Sequence, residues 1–167
     1  MRTLEYDAQQ RALRLVDQTR LPRETVLIAC TSAEQVADAI REMRVRGAPA
    51  IGVAAAYGLA LAAQVAPADD PAAFIAALEQ AASLLRQTRP TAVNLQWALD
   101  RMLARGRAVA ERDGPAAARA AMLDLADRMA EEDIATNRRM GAYGLELVPS
   151  GANILTHCNA GALATVD

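Results

Sequence analysis

Apolar residues recur along most of this chain at intervals of three and four, the period of one helix face, and take on a strand-like pattern only near the start. Ala12-Leu13-Arg14-Leu15-Val16-Asp17-Gln18 alternates in character, and Glu24-Thr25-Val26-Leu27-Ile28-Ala29-Cys30 is an apolar run with β-branched residues. Arg20-Leu21-Pro22-Arg23 between them is short enough for a turn, so the pattern predicts a β-hairpin.

Helical signals then take over. Thr31 and Ser32 stand three places before Glu34 and Gln35, the spacing of a capping box, and Val36, Ile40 and Met43 follow at helical intervals, with Ala37 widening the stripe. Arg46-Gly47-Ala48-Pro49 interrupts, and Pro49 suits the first turn of a second helix over 50–64, in which Gly52, Ala56 and Ala60 form a small-residue face open to close approach by another backbone. A loop at Pro67–Pro71 leads to a third helix through Phe74, Leu78, Leu84 and Leu85. Thr88-Arg89-Pro90-Thr91 breaks it, Asn94–Arg112 forms a fourth, and Gly114-Pro115 precedes a fifth over 116–147 with Met122, Leu125, Met129 and Ile134 on one stripe. Pro149-Ser150-Gly151 ends that helix. Asn153-Ile154-Leu155-Thr156 is then expected to be a short buried strand, delivering His157-Cys158-Asn159-Ala160-Gly161 to its carboxyl end.

Composition narrows what these elements can do. Of 167 residues, 53% are hydrophobic but only 3% aromatic, so the core must be small aliphatic side chains on closely packed helices. A net charge of −2 gives no basis for wholesale binding to nucleic acid or anionic membrane. The apolar run 47–63 is mostly Ala and Gly, which favours a buried helix over a membrane span. The start has no signal-peptide pattern, and Cys30 and Cys158 form no CxxC pair or Cys/His cluster, so a cytosolic protein with free thiols is expected.

Chemistry concentrates at two places. In Arg46-Gly47-Ala48, glycine lets backbone approach a ligand, arginine offers a bidentate fork to phosphate, and the next helix presents free N–H groups. A plain helix–turn–helix linkage is the other reading of this stretch, which is neither a Walker loop nor a dinucleotide turn. In Thr156–Gly161, a helix starting near Gly161 would favour an anion and activate Cys158 as acid/base or nucleophile; Cys158 as a small buried hydrophobe is the alternative. Cys30, ending an apolar strand, is read as core. His157, the only histidine, is read as structural, and Arg89 as an anion contact or a solvated loop charge.

Taken together, four segments resemble the methylthioribose-1-phosphate isomerase family of methionine salvage: Asp17-Gln18-Thr19-Arg20-Leu21-Pro22, Arg46-Gly47-Ala48-Pro49-Ala50-Ile51-Gly52, Arg89-Pro90-Thr91-Ala92-Val93-Asn94-Leu95, and Thr156–Thr165. The second and fourth are also similar in ribose-1,5-bisphosphate isomerases and in regulatory subunits of the translation-initiation nucleotide exchange factor; Cys158 favours the enzymes. The resemblance implies aldose–ketose interconversion of 5-methylthioribose 1-phosphate, with Arg46, Gly47, Ala48 and Arg89 binding substrate and Cys158 at the reacting carbons. It implies no metal or organic cofactor, a sugar phosphate as ligand, a homodimer at full length, and neither nucleic acid nor membrane as partner. The expected fold is an α+β fragment of an α/β enzyme. Residues 1–148 would form the hairpin and helical domain, and 149–167 the first strand of a truncated Rossmann-like catalytic domain whose acid lies further on, leaving this piece inactive alone. A non-catalytic, sugar-phosphate-sensing module of the same wider family is the competing expectation.

Overall fold

A computed structural model describes residues 2–167. Three antiparallel strands lead into five helices: β1 Leu4–Asp7, β2 Ala12–Val16, β3 Leu27–Cys30, then α1 Ala33–Arg41, α2 Ala48–Val65, α3 Pro71–Arg86, α4 Val93–Asp113 and α5 Pro115–Leu145. The expected hairpin is β2–β3, in register Leu13 opposite Cys30 and Leu15 opposite Ile28. β1, which the sequence reading passed over, joins the other edge of β2 with Leu4 opposite Leu15. Its return is closed by Asp7, whose carboxylate accepts from the N–H groups of Gln9 and Gln10. Leu4, Leu13, Leu15 and Cys30 are buried beneath the helices, so Cys30 is a core residue, and burial pushes its thiol pKa up.

Helix α1 begins as its residues prescribe. The Ser32 hydroxyl accepts from the Gln35 N–H, while the Gln35 side chain accepts from the Thr31 N–H at 2.7 Å. Helix α2 is the centre of the bundle and packs against the other four. Its apolar length is thereby core, with thirteen of its residues buried. Gly52 permits the contact with α4: a Cβ built there would lie 3.0 Å from the Asn94 carbonyl oxygen. At its far end, the Arg119 guanidinium from α5 donates to the carbonyls of Ala63 and Ala66 at 3.0 and 2.6 Å, satisfying groups left open by the helix terminus.

Beyond Leu145 the structure departs from expectation. Asn153–Thr156 forms no strand; the segment is exposed, with Leu155 98% accessible. A strand needs a neighbour to satisfy its backbone groups and a surface to cover its side chains, and none of the described residues supplies either. The Asn153–Thr156 strand expected within 149–167 is therefore not formed among them. Near Gly161 there is a single 3-10 turn, Ala162–Ala164, in place of a helix start.

Candidate functional site

The Arg46-Gly47-Ala48 loop joins α1 to α2, and its conformation depends on glycine. Gly47 has φ +106°, which side chains other than hydrogen rarely tolerate, and it serves as the N-cap of α2. A glycine cap offers no side-chain acceptor, and Pro49 has no N–H, so Ala48 and Ala50 carry the first-turn donors without an intrahelical partner. These donors and the positive end of an 18-residue helix favour an anion at this loop. Arg46 is exposed beside it.

The last residues of the chain lie against this loop. A Cβ on Gly47 would collide with Ala164. The Thr3 hydroxyl donates to the Ala162 carbonyl at 2.7 Å, the Thr3 N–H to Val166 at 2.8 Å, and the Val166 N–H to the Asp133 carboxylate at 2.9 Å. Asp133 is itself held from α5 by the Asn137 amide at 3.0 Å. Ala164, Thr165 and Val166 are buried as a result. Anchoring of 162–166 keeps the preceding loop close: the Asn159 amide donates to the Arg46 carbonyl at 3.4 Å.

Cys158, one residue earlier, is exposed, so the buried-hydrophobe alternative does not describe it. Its φ of +70° is uncommon for a residue with a side chain. His157 is also exposed, and its ring makes no hydrogen bond among the described residues, which does not fit a satisfied structural histidine. The fold thus brings the segment of Cys158 to Arg46 and Gly47. It does not bring Arg89 into the same contacts. Arg89 sits half-buried in the turn between α3 and α4, and no side-chain hydrogen bond or ion pair ties it to either segment among the described residues.

A groove of about 330 Å³ opens beyond the loop, between the first turns of α2 (Pro49, Gly52, Val53) and α4 (Asn94, Trp97) and the second half of α5 from Met129 to Met140. Its wall is stiffened by Arg101, which lies 5.4 Å over the Trp97 ring and grips Glu132 through two hydrogen bonds of 2.6 and 3.0 Å. Hydrogen bonding from Arg101 holds the Glu132 carboxyl below its ordinary range.

The Initiation factor 2 subunit family model matches residues 44–166, from just before the arginine loop to the end of the anchored segment. The chain belongs to this family. Within it, the methylthioribose-1-phosphate isomerase of Desulforudis audaxviator is 57% identical over 153 residues, 92% of this chain and 43% of that protein. The crystal structure of 5-methylthioribose 1-phosphate isomerase from Pyrococcus horikoshii OT3 matches with a TM-score of 0.87 at 45% identity, over 99% of this chain and 45% of that one. The crystal structure of the translation initiation factor eIF-2B subunit delta from A. fulgidus matches at 0.86 and 42% identity, over 100% and 47%. The chain therefore spans less than half the length of these relatives.

Family membership sharpens what sequence reasoning missed. Thr3, Gln18 and Asp133 hold the 162–166 segment in place, and Asp133 also lines the groove. Gln18 lay inside a quoted motif, Asp17–Pro22, with no chemistry assigned to it; Thr3 and Asp133 carried no local signal, because their partners are more than thirty residues away.

Proposed function

We propose that this chain carries the phosphate loop and the thiol of an aldose–ketose isomerase converting 5-methylthioribose 1-phosphate into 5-methylthioribulose 1-phosphate. The observation that carries the reading is the seat of the Cys158 segment on the Arg46 loop, through Asn159 on the Arg46 carbonyl and Ala164 on Gly47. In this reading one sugar phosphate spans both. The relatives bearing that enzyme name support the substrate.

In this reading Arg46 and the Ala48 and Ala50 N–H groups hold the phosphate dianion, with Arg89 as a further contact that would close on it. A phosphate ester at C1 locks the sugar as a cyclic acetal, so the ring C–O bond must break, with a proton delivered to the ring oxygen, before hydrogen moves from C2 to C1 and the C2 hydroxyl gives up its proton to become the ketone. Cys158 stands at those carbons, either relaying the C2 proton to C1 or flanking a direct hydride shift. The acid at the ring oxygen belongs to the part of the relatives beyond this chain's match. Residues 1–148 act as the gripping domain and 149–167 as the opening of a second, α/β domain. The near-neutral charge and the buried α2 support a cytosolic protein with no nucleic-acid or membrane partner, and a homodimer at the relatives' full length completes the reading.

One observation favours a second reading, a non-catalytic sensor of sugar phosphates: the delta-subunit structure matches almost as closely as the isomerase. Calorimetric titration with 5-methylthioribose 1-phosphate tests both. Binding that Arg46→Ala weakens by about tenfold or more is expected, from loss of charge-assisted hydrogen bonds; absence of binding overturns both readings. Assay of the chain supplemented with the remaining portion of the Pyrococcus relative then separates them. Cys158→Ser abolishes turnover in the isomerase and leaves a sensor's binding intact.

A further inference from the structure

Gln18 is nearly sealed from solvent, yet it is polar and no chemistry has been assigned to it. From a third element, its carboxamide touches both halves of the candidate site. The Nε2 group donates to the Leu163 carbonyl at 2.7 Å, five residues after Cys158, and Oε1 accepts from the Arg46 Nε at 3.4 Å. These opposite demands fix the orientation of the amide, since the reversed group would face a carbonyl with an acceptor and a guanidinium with a donor. Its own backbone is equally committed. The Gln18 N–H donates to the Arg44 carbonyl at 2.8 Å, and the preceding Asp17 N–H to Val26 at 2.9 Å, so Gln18 extends the rigid end of β2.

A buried amide used only for packing could satisfy itself within one element. This one instead spans three: the strand end, the loop before α2, and the segment after Cys158. We propose that Gln18 is the positioning residue of the site, holding the Arg46 loop and the Cys158 segment in one fixed relation so that an anion gripped at the first is felt at the second. The inference rests on the reading of these two segments as one site. It concerns coupling between them, while that reading concerns only their shared ligand.

Alkylation of Cys158 by iodoacetamide, followed by peptide mapping, reads this coupling directly, because the buried Cys30 reacts separately and slowly. The rate is followed against pH and against inorganic phosphate in the 167-residue chain. Phosphate is expected to slow alkylation in the wild type by about fivefold, the worth of one net hydrogen bond. Gln18→Met, close in shape but unable to bond, should erase that protection and shift the pH profile, while calorimetry still detects phosphate. Gln18→Glu keeps an acceptor for Arg46 but turns a second acceptor and a negative charge toward the Leu163 carbonyl, so at phosphate concentrations that calorimetry shows to be saturating it should do the same, and it serves as the deciding variant if circular dichroism shows Gln18→Met unfolded. Protection retained in a folded variant overturns the role of Gln18 and leaves the shared site standing. Absence of protection in the wild type, with phosphate bound, overturns both.

Discussion

Ala164 stands so close to Gly47 that a Cβ built on the glycine would lie 2.6 Å from the Ala164 carbonyl oxygen and 2.8 Å from its methyl carbon. The contact ties the loop before α2 to the segment after Cys158, and it exists because one partner has no side chain. Gly47→Ala would have to expel the segment and strain a backbone at φ +106°. A loss of about 2–5 kcal/mol is expected from strain and overpacking together. Urea unfolding measures the loss, and faster proteolysis near residues 157–161 would show that the segment has left its seat. An unchanged midpoint would mean that the approach is not tight.

Arg119 caps the carboxyl end of the central helix across 53 or more residues of sequence. Arg119→Met keeps the packing of its stem and removes both charge-assisted bonds to α2. Stability should fall by about 1–3 kcal/mol, read as a lower Tm. Equal stability would show that water satisfies those carbonyls as well as the guanidinium does.

The Tyr57 hydroxyl donates to Asp127 at 2.8 Å, and its ring stacks on Tyr6 with centroids 5.7 Å apart. Burial, then the bond to Asp127, raises its pKa strongly above the ordinary 10.0. A phenol that holds its proton more tightly when folded contributes stability that is complete below the ordinary value and declines as pH rises beyond it. Unfolding free energy should therefore drop above about pH 10, and Tyr57→Phe should flatten that decline while costing about 1 kcal/mol at neutral pH. Parallel alkaline profiles for the two proteins would refute the assignment.

Apolar side chains stand in solvent around the end of α5 and beyond it, with Leu147 85% and Leu155 98% accessible. Exposed apolar surface of this kind promotes association. Sedimentation velocity should show the average mass rising with concentration, and the double variant Leu147→Glu, Leu155→Glu should suppress the rise. A mass independent of concentration in the wild type would count against the prediction.

Much of the fold was legible because its signals are local. The capping pair Ser32 and Gln35, the Pro49 start of α2, and the stripe of Met122, Leu125, Met129 and Ile134 each depend on residues within a turn or two. The failures have the opposite character. Asn153–Thr156 has strand-like composition, but a strand is a relation between two segments, and no described segment pairs with it. β1 was passed over because four residues alternating as Leu4-Glu5-Tyr6-Asp7 signal little until Leu15 and Leu13 stand opposite.

The sequence by itself determined the helical body, the glycine turn before α2, and which residue types could grip a phosphate or present a thiol. These follow from backbone propensity, periodicity and side-chain chemistry, all of which a short stretch of chain carries within itself. Only the tertiary structure decided that Asn159 meets Arg46, that Gln18 bridges to Leu163, and that Cys158 faces solvent. Those are contacts across more than a hundred residues, set by how β2, α1 and α5 pack around α2, and no local pattern encodes them.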